Sequence, residues 1–408
     1  MLQSTTQSIE TRSSWVVATA SVVILALAFG APWITTVALK AIAAEVKGVR
    51  SVPALAVALV WFGSGFGGIM MGQVAERVGV RWTVTFGAIS IALGLVLSTF
   101  GPTWQLYVGH GLLAGLLGMA GINAPLYVYV SRWFDRRRGS ALALISSGTY
   151  IAGSFWPPIF ERSITSFGWR NTMLWYAALQ VVVIVPLALI FLKSPPELPL
   201  PGATGTSRED NKVLGWPPNL VFAMLAAAIF MCCVPMAMPQ SHLVAFCTDL
   251  GINASHGAAM LSVLLGTAFL SRQVWGLISD RIGGLRAVMI GSICQAATMS
   301  LFLVTQDEVG LFTVAAAFGL GFSGLIPATV LAVRELFPAA QASWRIPVML
   351  LCSASGMATG GWLAGVLYDR FGSYGPAFAT GIAINLINFA VISLLVARRR
   401  YVLAHSSG

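Results

Sequence analysis

The residue with the most chemical leverage in this chain is Arg272. It stands in LSVLLGTAFLSRQVWGLISDRIGGLR, residues 261–286, which begins as an apolar helix and runs out into a turn of Asp, Arg and Gly. Asp280 follows eight residues later, about 12 Å along a helix. With Asp280 at the water boundary, Arg272 sits well inside hydrocarbon. A guanidinium there costs about 2.5–3.5 kcal/mol on insertion scales and keeps its proton. A passing anion is the natural partner for such a charge. The plainer alternative is an arginine that snorkels to the interface.

A carboxylate site needs hydrogen-bond donors beside a fixed charge in an otherwise apolar cavity. In GINAPLYVYV, Asn123 and Tyr127 are four apart and share a helix face, with Pro125 as a kink between them. They line the cavity or serve as glue between helices. Another apolar stretch carries Pro235, Pro239, Gln240, His242 and, near its end, Asp249. Its two prolines break the backbone ladder, and discontinuous helices mark sites and gates in transporters. With Gly251 and Asn253 close behind it, Asp249 also reads as a solvated residue at the helix mouth. His110, set among glycines, reads as a packing histidine. From the residues, substrate binding is assigned to Arg272, Asn123 and Tyr127, and proton coupling needs a group whose proton affinity changes when substrate neutralises Arg272, for which Asp249, His242 and His110 qualify. No metal-ligand spacing, phosphate loop or nucleophile elbow occurs, so neither an enzyme nor a cofactor is expected.

The elements that position these residues follow from composition. The 408 residues are 57% apolar and 9% charged, with a mean hydropathy of +0.81. Apolar runs long enough to cross a bilayer recur from end to end. They lie near 15–41, 53–74, 82–100, 104–130, 139–160, 170–193, 217–247, 257–278, 285–305, 310–333, 344–367 and 375–397, and are called spans 1 to 12 below. The fold class is therefore an all-α membrane protein of twelve transmembrane helices. The polar leader before span 1 lacks a convincing cleavage site, so the first span is read as retained. The net charge of +10 reports topology rather than nucleic acid. With both termini in the cytoplasm, 17 of the 24 Lys and Arg lie on that face and 6 outside, a bias that sets orientation. The five cysteines fall in or at the ends of spans and read as core-filling.

The chain also repeats itself. Gly72-Gln-Val-Ala-Glu76-Arg77-Val-Gly79-Val-Arg81 follows span 2, and Gly276-Leu-Ile-Ser-Asp280-Arg281-Ile-Gly283-Gly-Leu-Arg286 follows span 8. Arg132 and Arg334 close spans 4 and 10, and Phe-Gly pairs at 167–168 and 371–372 precede spans 6 and 12. All three landmarks recur at nearly one offset, half the chain, as a duplicated six-helix unit requires. The expected plan is a bundle over 1–193, a cytoplasmic linker over 194–216 and a second bundle over 217–408, with substrate held between them. Glu76, Arg77, Arg81, Arg132, Asp280, Arg281, Arg286 and Arg334 are assigned to gating. Glu76 pairs with Arg132 and Asp280 with Arg334 in that reading, although exposed pairs are worth only about 0–1 kcal/mol each.

The twin loops resemble the G-x3-D-R-x-G-x-R/K-R/K signature of the major facilitator superfamily, with Glu76 in place of Asp and one extra residue before Arg286. The junction Arg132-Trp-Phe-Asp-Arg-Arg-Arg-Gly-Ser-Ala, the Phe167-Gly-Trp-Arg170 segment and Arg272-x3-Gly276 look like the bacterial monocarboxylate and oxalate/formate porters. The resemblance implies that Arg272 holds a substrate carboxylate, with His242 in the cavity and the acid at Asp249 working in proton coupling. Two departures stand out: Trp33 follows Pro32 where mammalian members carry lysine, and Ala268 stands where they carry aspartate. The expected function is a secondary active transporter of small monocarboxylates or related organic anions in a bacterial inner membrane. It works by alternating access with proton coupling, as a monomer with both termini cytoplasmic and the bilayer and a proton as further partners. An anion exchanger of the oxalate/formate type and an exporter of amphiphilic compounds are the alternatives.

Overall fold

The computed structural model describes residues 10–101, 103–134, 137–193 and 212–406. Most of the expected 194–216 linker, including Arg208, lies outside the described residues, as does Arg136. Among the described residues eleven continuous helices are long and apolar enough to cross a membrane. One of them, 48 residues long, reverses at Gly168 (φ 79°), so the protein has twelve spans. They are α1 Arg12–Val37, α2 Ser51–Val78, α3 Val80–Ser98, α4 Thr103–Ser131, α5 (138–167), α6 (169–191), α7 Pro218–Asp249, α8 Ala254–Ile282, α9 Gly284–Val304, α10 Glu308–Leu336, α11 Ala339–Phe371 and α12 Gly375–Ser406. No strand occurs among them, only one isolated bridge, Val213 to Trp216. In hydrocarbon every backbone polar group must be satisfied within its own segment, and helices achieve that.

The internal repeat is written into the backbone. Gly79 (φ 94°) and Gly283 (φ 84°) turn the chain between α2 and α3 and between α8 and α9. Gly168 (φ 79°) and Gly372 (φ 71°) do so between α5 and α6 and between α11 and α12. A side chain at such angles is strained, which ties these turns to glycine. With twelve crossings both ends of the chain lie on one face, called the terminal face here; the other is the far face.

The two halves meet along two seams. On one, Gly365 of α11 backs onto Ser51 and Ala54 of α2, and Gly65 of α2 onto Leu351 and Ala354 of α11. On the other, Gly153 of α5 meets Leu265 of α8, and Gly266 of α8 meets Ser154 of α5. Small residues let these helices approach closely where no hydrophobic effect drives them together.

The helix irregularities differ from the expected ones. Helix α7 runs unbroken from Pro218 to Asp249 with Pro235 and Pro239 inside it. Each proline removes one ladder bond, and packing holds the helix through the gap: Gly356 and Gly360 of α11 lie against the carbonyls of Phe230 and Val234. The breaks occur elsewhere. α1 is interrupted at Phe29, and α10 at Ser323 and Gly324. α4 is π-helical over Val108–Met119, a wider winding that costs hydrogen-bond geometry and tends to mark working parts of proteins.

A methyl group at Gly360 would collide with the Val234 carbonyl, whereas one at Gly72 would meet nothing within 4 Å. Gly360→Ala is therefore expected to destabilise the purified protein by about 1–3 kcal/mol and lower its Tm by several degrees. Gly72→Ala should leave the melting curve unchanged.

Candidate substrate site and gate

Arg272 lies ten residues before the end of α8, about 15 Å along the helix. It reaches across the seam between the halves. Its Nη1 donates to the Ser146 carbonyl of α5 at 3.3 Å, and its guanidinium carbon stands 5.0 Å from the centre of the Tyr150 ring. It is half-buried and forms no ion pair among the described residues. The Tyr150 ring offers its negative face, worth about 0.5–2 kcal/mol, and leaves most of the five N–H donors unspent. Tyr127 of α4 is near enough for this charge to bear on its phenol. Asn123, one turn away, is half-buried and makes no hydrogen bond among the described residues. Helices α4, α5 and α8 thus bring together two phenols and a cation with no ion pair among the described residues, with Asn123 one turn along α4 from Tyr127.

His242 belongs to a different cluster. It is fully buried, with Nδ1 2.9 Å from the Tyr374 hydroxyl and Nε2 2.8 Å from the Gly361 carbonyl oxygen. The Tyr374 hydroxyl also accepts from Arg50 Nη1 at 2.9 Å. Arg50, 7% exposed, grips both oxygens of Asp249 at 2.6 and 2.7 Å, and Lys40 adds a third donor at 3.0 Å. The Arg50 guanidinium lies 3.6 Å from the centre of the Tyr368 ring. Burial works against its charge, but bonds to Asp249 and Tyr374 more than offset that, and its pKa rises. The amides of Arg50 and Ser51, at the start of α2, both donate to Asp369 at the end of α11 (2.8 and 2.9 Å). That carboxylate caps a helix of the opposite half, where the helix dipole favours it. Two acids of the second half, Asp249 and Asp369, therefore tie it to the first half at the far face, a contact called the clamp below.

The ion pairs on the terminal face stay within a half. Arg132 and Glu76 approach to 3.5 Å, both well exposed. Asp280 makes no ion pair among the described residues, and Glu335 stands in the second half instead. It accepts from the Gly284 amide at 2.9 Å and from Arg399 Nη1 at 2.7 Å. Arg77, Arg81, Arg281, Arg286 and Arg334 are exposed. His110 is saturated by Thr35, Ser98 and the Leu106 carbonyl, which is the packing role its setting suggested. The Phe-Gly-Trp-Arg segment proves to be a brace, since Trp169 and Arg170 both donate to Glu45 (2.9 and 2.7 Å). The Arg170 bond holds the Glu45 carboxyl below its ordinary pKa.

Sequence reasoning missed Tyr150, Arg50, Tyr374 and Asp369. Tyr150 carried a signal, being four residues after Ser146 and so on one helix face. The far-face clamp did not, because its members come from four short loops and helix ends scattered over more than 300 positions.

Two pseudo-symmetric six-helix bundles, with Arg272 reaching across one seam between them and ion pairs joining them at the far face, define a multi-pass membrane protein. The sequence model of the Major Facilitator Superfamily matches residues 21–306, more than half of the chain, and the protein belongs to that superfamily. It is 27% identical over 350 residues to monocarboxylate transporter 13 of Bos taurus, covering 85% of this chain and 80% of that protein. It is 20% identical to the uncharacterised MFS-type transporter YcxA of Bacillus subtilis, covering 85% and 86%. Among solved structures it is similar to a bacterial homologue of the human lysosomal transporter Spinster, inward-facing and occupied (TM-score 0.69, 15% identity, 98% of both chains). It is also similar to a peptide transporter in complex with sulfate (TM-score 0.72, 14% identity, 94% of this chain and 95% of that one). It is a transporter and not an enzyme.

Removing Asp249 leaves the buried Arg50 charge unmatched, a loss of about 3–5 kcal/mol for such pairs. Asp249→Asn is expected to open the far face. In a background lacking the five native cysteines, Thr36→Cys should then react several-fold faster with an impermeant maleimide added from that side. An unchanged rate would show that the clamp does not close this face.

Proposed function

We propose that this protein is a secondary transporter of small monocarboxylates or related organic anions, working by alternating access. The observation that carries the reading is Arg272, a permanent cation between the halves with no counter-ion among the described residues and donors to spare. A carboxylate supplies the missing charge and accepts two parallel N–H bonds. Tyr127 and Asn123 add hydroxyl and amide donors. The likeness to a monocarboxylate transporter across most of both chains supports the same substrate class. The positive-inside bias supports placing the terminal face, with both termini, in the cytoplasm; in this reading the membrane is a bacterial inner membrane, and a single chain contains the whole pathway.

In this reading the structure is closed to the outside by the clamp of Arg50 on Asp249. Proton coupling then has a physical route. A proton taken by Asp249 removes the charge that holds Arg50, and His242 is wired to the same arginine through Tyr374. Carboxylate arrival at Arg272 and proton arrival at the clamp are separate events that share one conformational change.

The test is uptake of labelled lactate and benzoate into proteoliposomes. Uptake is expected to rise with an inward proton gradient. Arg272→Gln should weaken apparent affinity by about ten- to a hundredfold, the loss of one charged hydrogen-bond pair. Asp249→Asn should keep exchange of internal for external substrate but lose the response to the gradient. Uptake indifferent to the gradient in the unaltered protein points to anion exchange instead, and uptake indifferent to Arg272→Gln refutes the carboxylate site.

A further inference from the structure

Outward of Arg272, between the halves, lies a small cavity of about 10 Å³ walled by α1, α2, α7 and α11. Three of its residues carry polar groups that the fold does not use. Trp33 is 5% exposed, and its Nε1–H has no acceptor. Gln240 (6% exposed) and Ser241 (8%) make no side-chain hydrogen bond among the described residues. An orphaned buried donor such as the Trp33 indole costs about 1–3 kcal/mol and is rare enough to call for a partner. With it, the unbonded Gln240 and Ser241 side chains at the same cavity make a polar seat. The remaining wall is apolar, with Trp61 and Met357 among it.

The seat is physically continuous with the cation. Tyr150 lies under Arg272, and Gly153 is one helical turn further along α5, about 4.5 Å. A methyl group at Gly153 would meet Cζ2 and Cε2 of Trp33 at 2.9 and 3.1 Å, so the indole is packed against that turn. Trp33 therefore packs against α5 one turn beyond the ring that lies under Arg272, and a substrate that reaches from one to the other is longer than a 2-oxo or 2-hydroxy acid. No charged group lines the seat. Trp33 donates only, while Gln240 and Ser241 both donate and accept.

We propose that Trp33, Gln240 and Ser241 form a second subsite that takes a neutral oxygen, hydroxyl or carbonyl, at the distal end of the substrate. The preferred substrates are then monocarboxylates with an apolar or aromatic middle and a distal oxygen, rather than short acids such as lactate. This rests on the carboxylate reading of Arg272 and adds to it. The seat is pinched in this conformation, so a substrate fills it as the halves part. A site that hydrogen-bonds a substrate oxygen discriminates strongly against the analogue lacking it, because the polar groups are then left unpaired.

Binding of two matched pairs, phenylacetate with 4-hydroxyphenylacetate and hexanoate with 5-oxohexanoate, to the purified full chain tests this. The unaltered protein is expected to favour at least one oxygen-bearing member by about tenfold. Trp33→Phe, which keeps the ring and removes the donor, should abolish that preference while leaving phenylacetate and hexanoate binding as before. Gln240→Leu should erode it likewise and serves if the Trp33 variant does not fold. Arg272→Gln should weaken all four ligands alike. Equal binding within both pairs, or a preference that survives both seat variants, overturns the subsite while the carboxylate reading stands. So does a Trp33→Phe loss shared equally by both members of each pair. Four ligands indifferent to Arg272→Gln, or binding of none, overturn the carboxylate reading and this inference with it.

Discussion

A positive charge that cannot be discharged, set where water is scarce, is the constraint around which this protein is arranged. Arg272 leans on the Tyr150 ring and one backbone carbonyl, neither of which neutralises it. A guanidinium at such a depth is tolerated where it faces a cavity or a partner, not lipid. The glycine seams satisfy that condition by holding α5 against α8, so that the arginine of one half is sheltered by the other. Under the carboxylate reading proposed above, the charge that would neutralise Arg272 arrives with the substrate.

The clamp at the far face complements it. At the terminal face Glu76 and Glu335 keep their arginines inside their own halves, at solvent-exposed positions where ion pairs contribute little. At the far face Arg50 is buried under Tyr368 and Tyr374 and held by an acid from the opposite half. The inequality of the two faces is a matter of burial, not of charge count. It makes the far-face contacts between the halves the better shielded of the two sets.

Much of this architecture was readable in the residues. Twelve apolar runs became twelve spans, and the duplicated loops became paired glycine turns at Gly79 and Gly283, because φ above zero excludes most side chains. The place of Arg272 well inside α8, away from its Asp280 end, was legible in the spacing. Less local features did not follow. Two prolines in α7 suggested a broken helix, yet tertiary packing against the glycines of α11 carries it through. The expected partnership of Asp280 with Arg334 gave way to Glu335 and Arg399, one residue and two helices removed. His242 read as a cavity residue, but its two nitrogens are committed to Tyr374 and Gly361, a pairing across more than 100 positions that no periodicity reveals.

The central claim concerns where a carboxylate rests. Locating 4-bromobenzoate by anomalous scattering in crystals of the protein asks this directly. The account predicts a bromine peak in the seam between the halves, with the carboxylate on the Arg272 guanidinium and near Tyr127. A ligand bound elsewhere, with Arg272 still resting on Tyr150 and untouched, would contradict it.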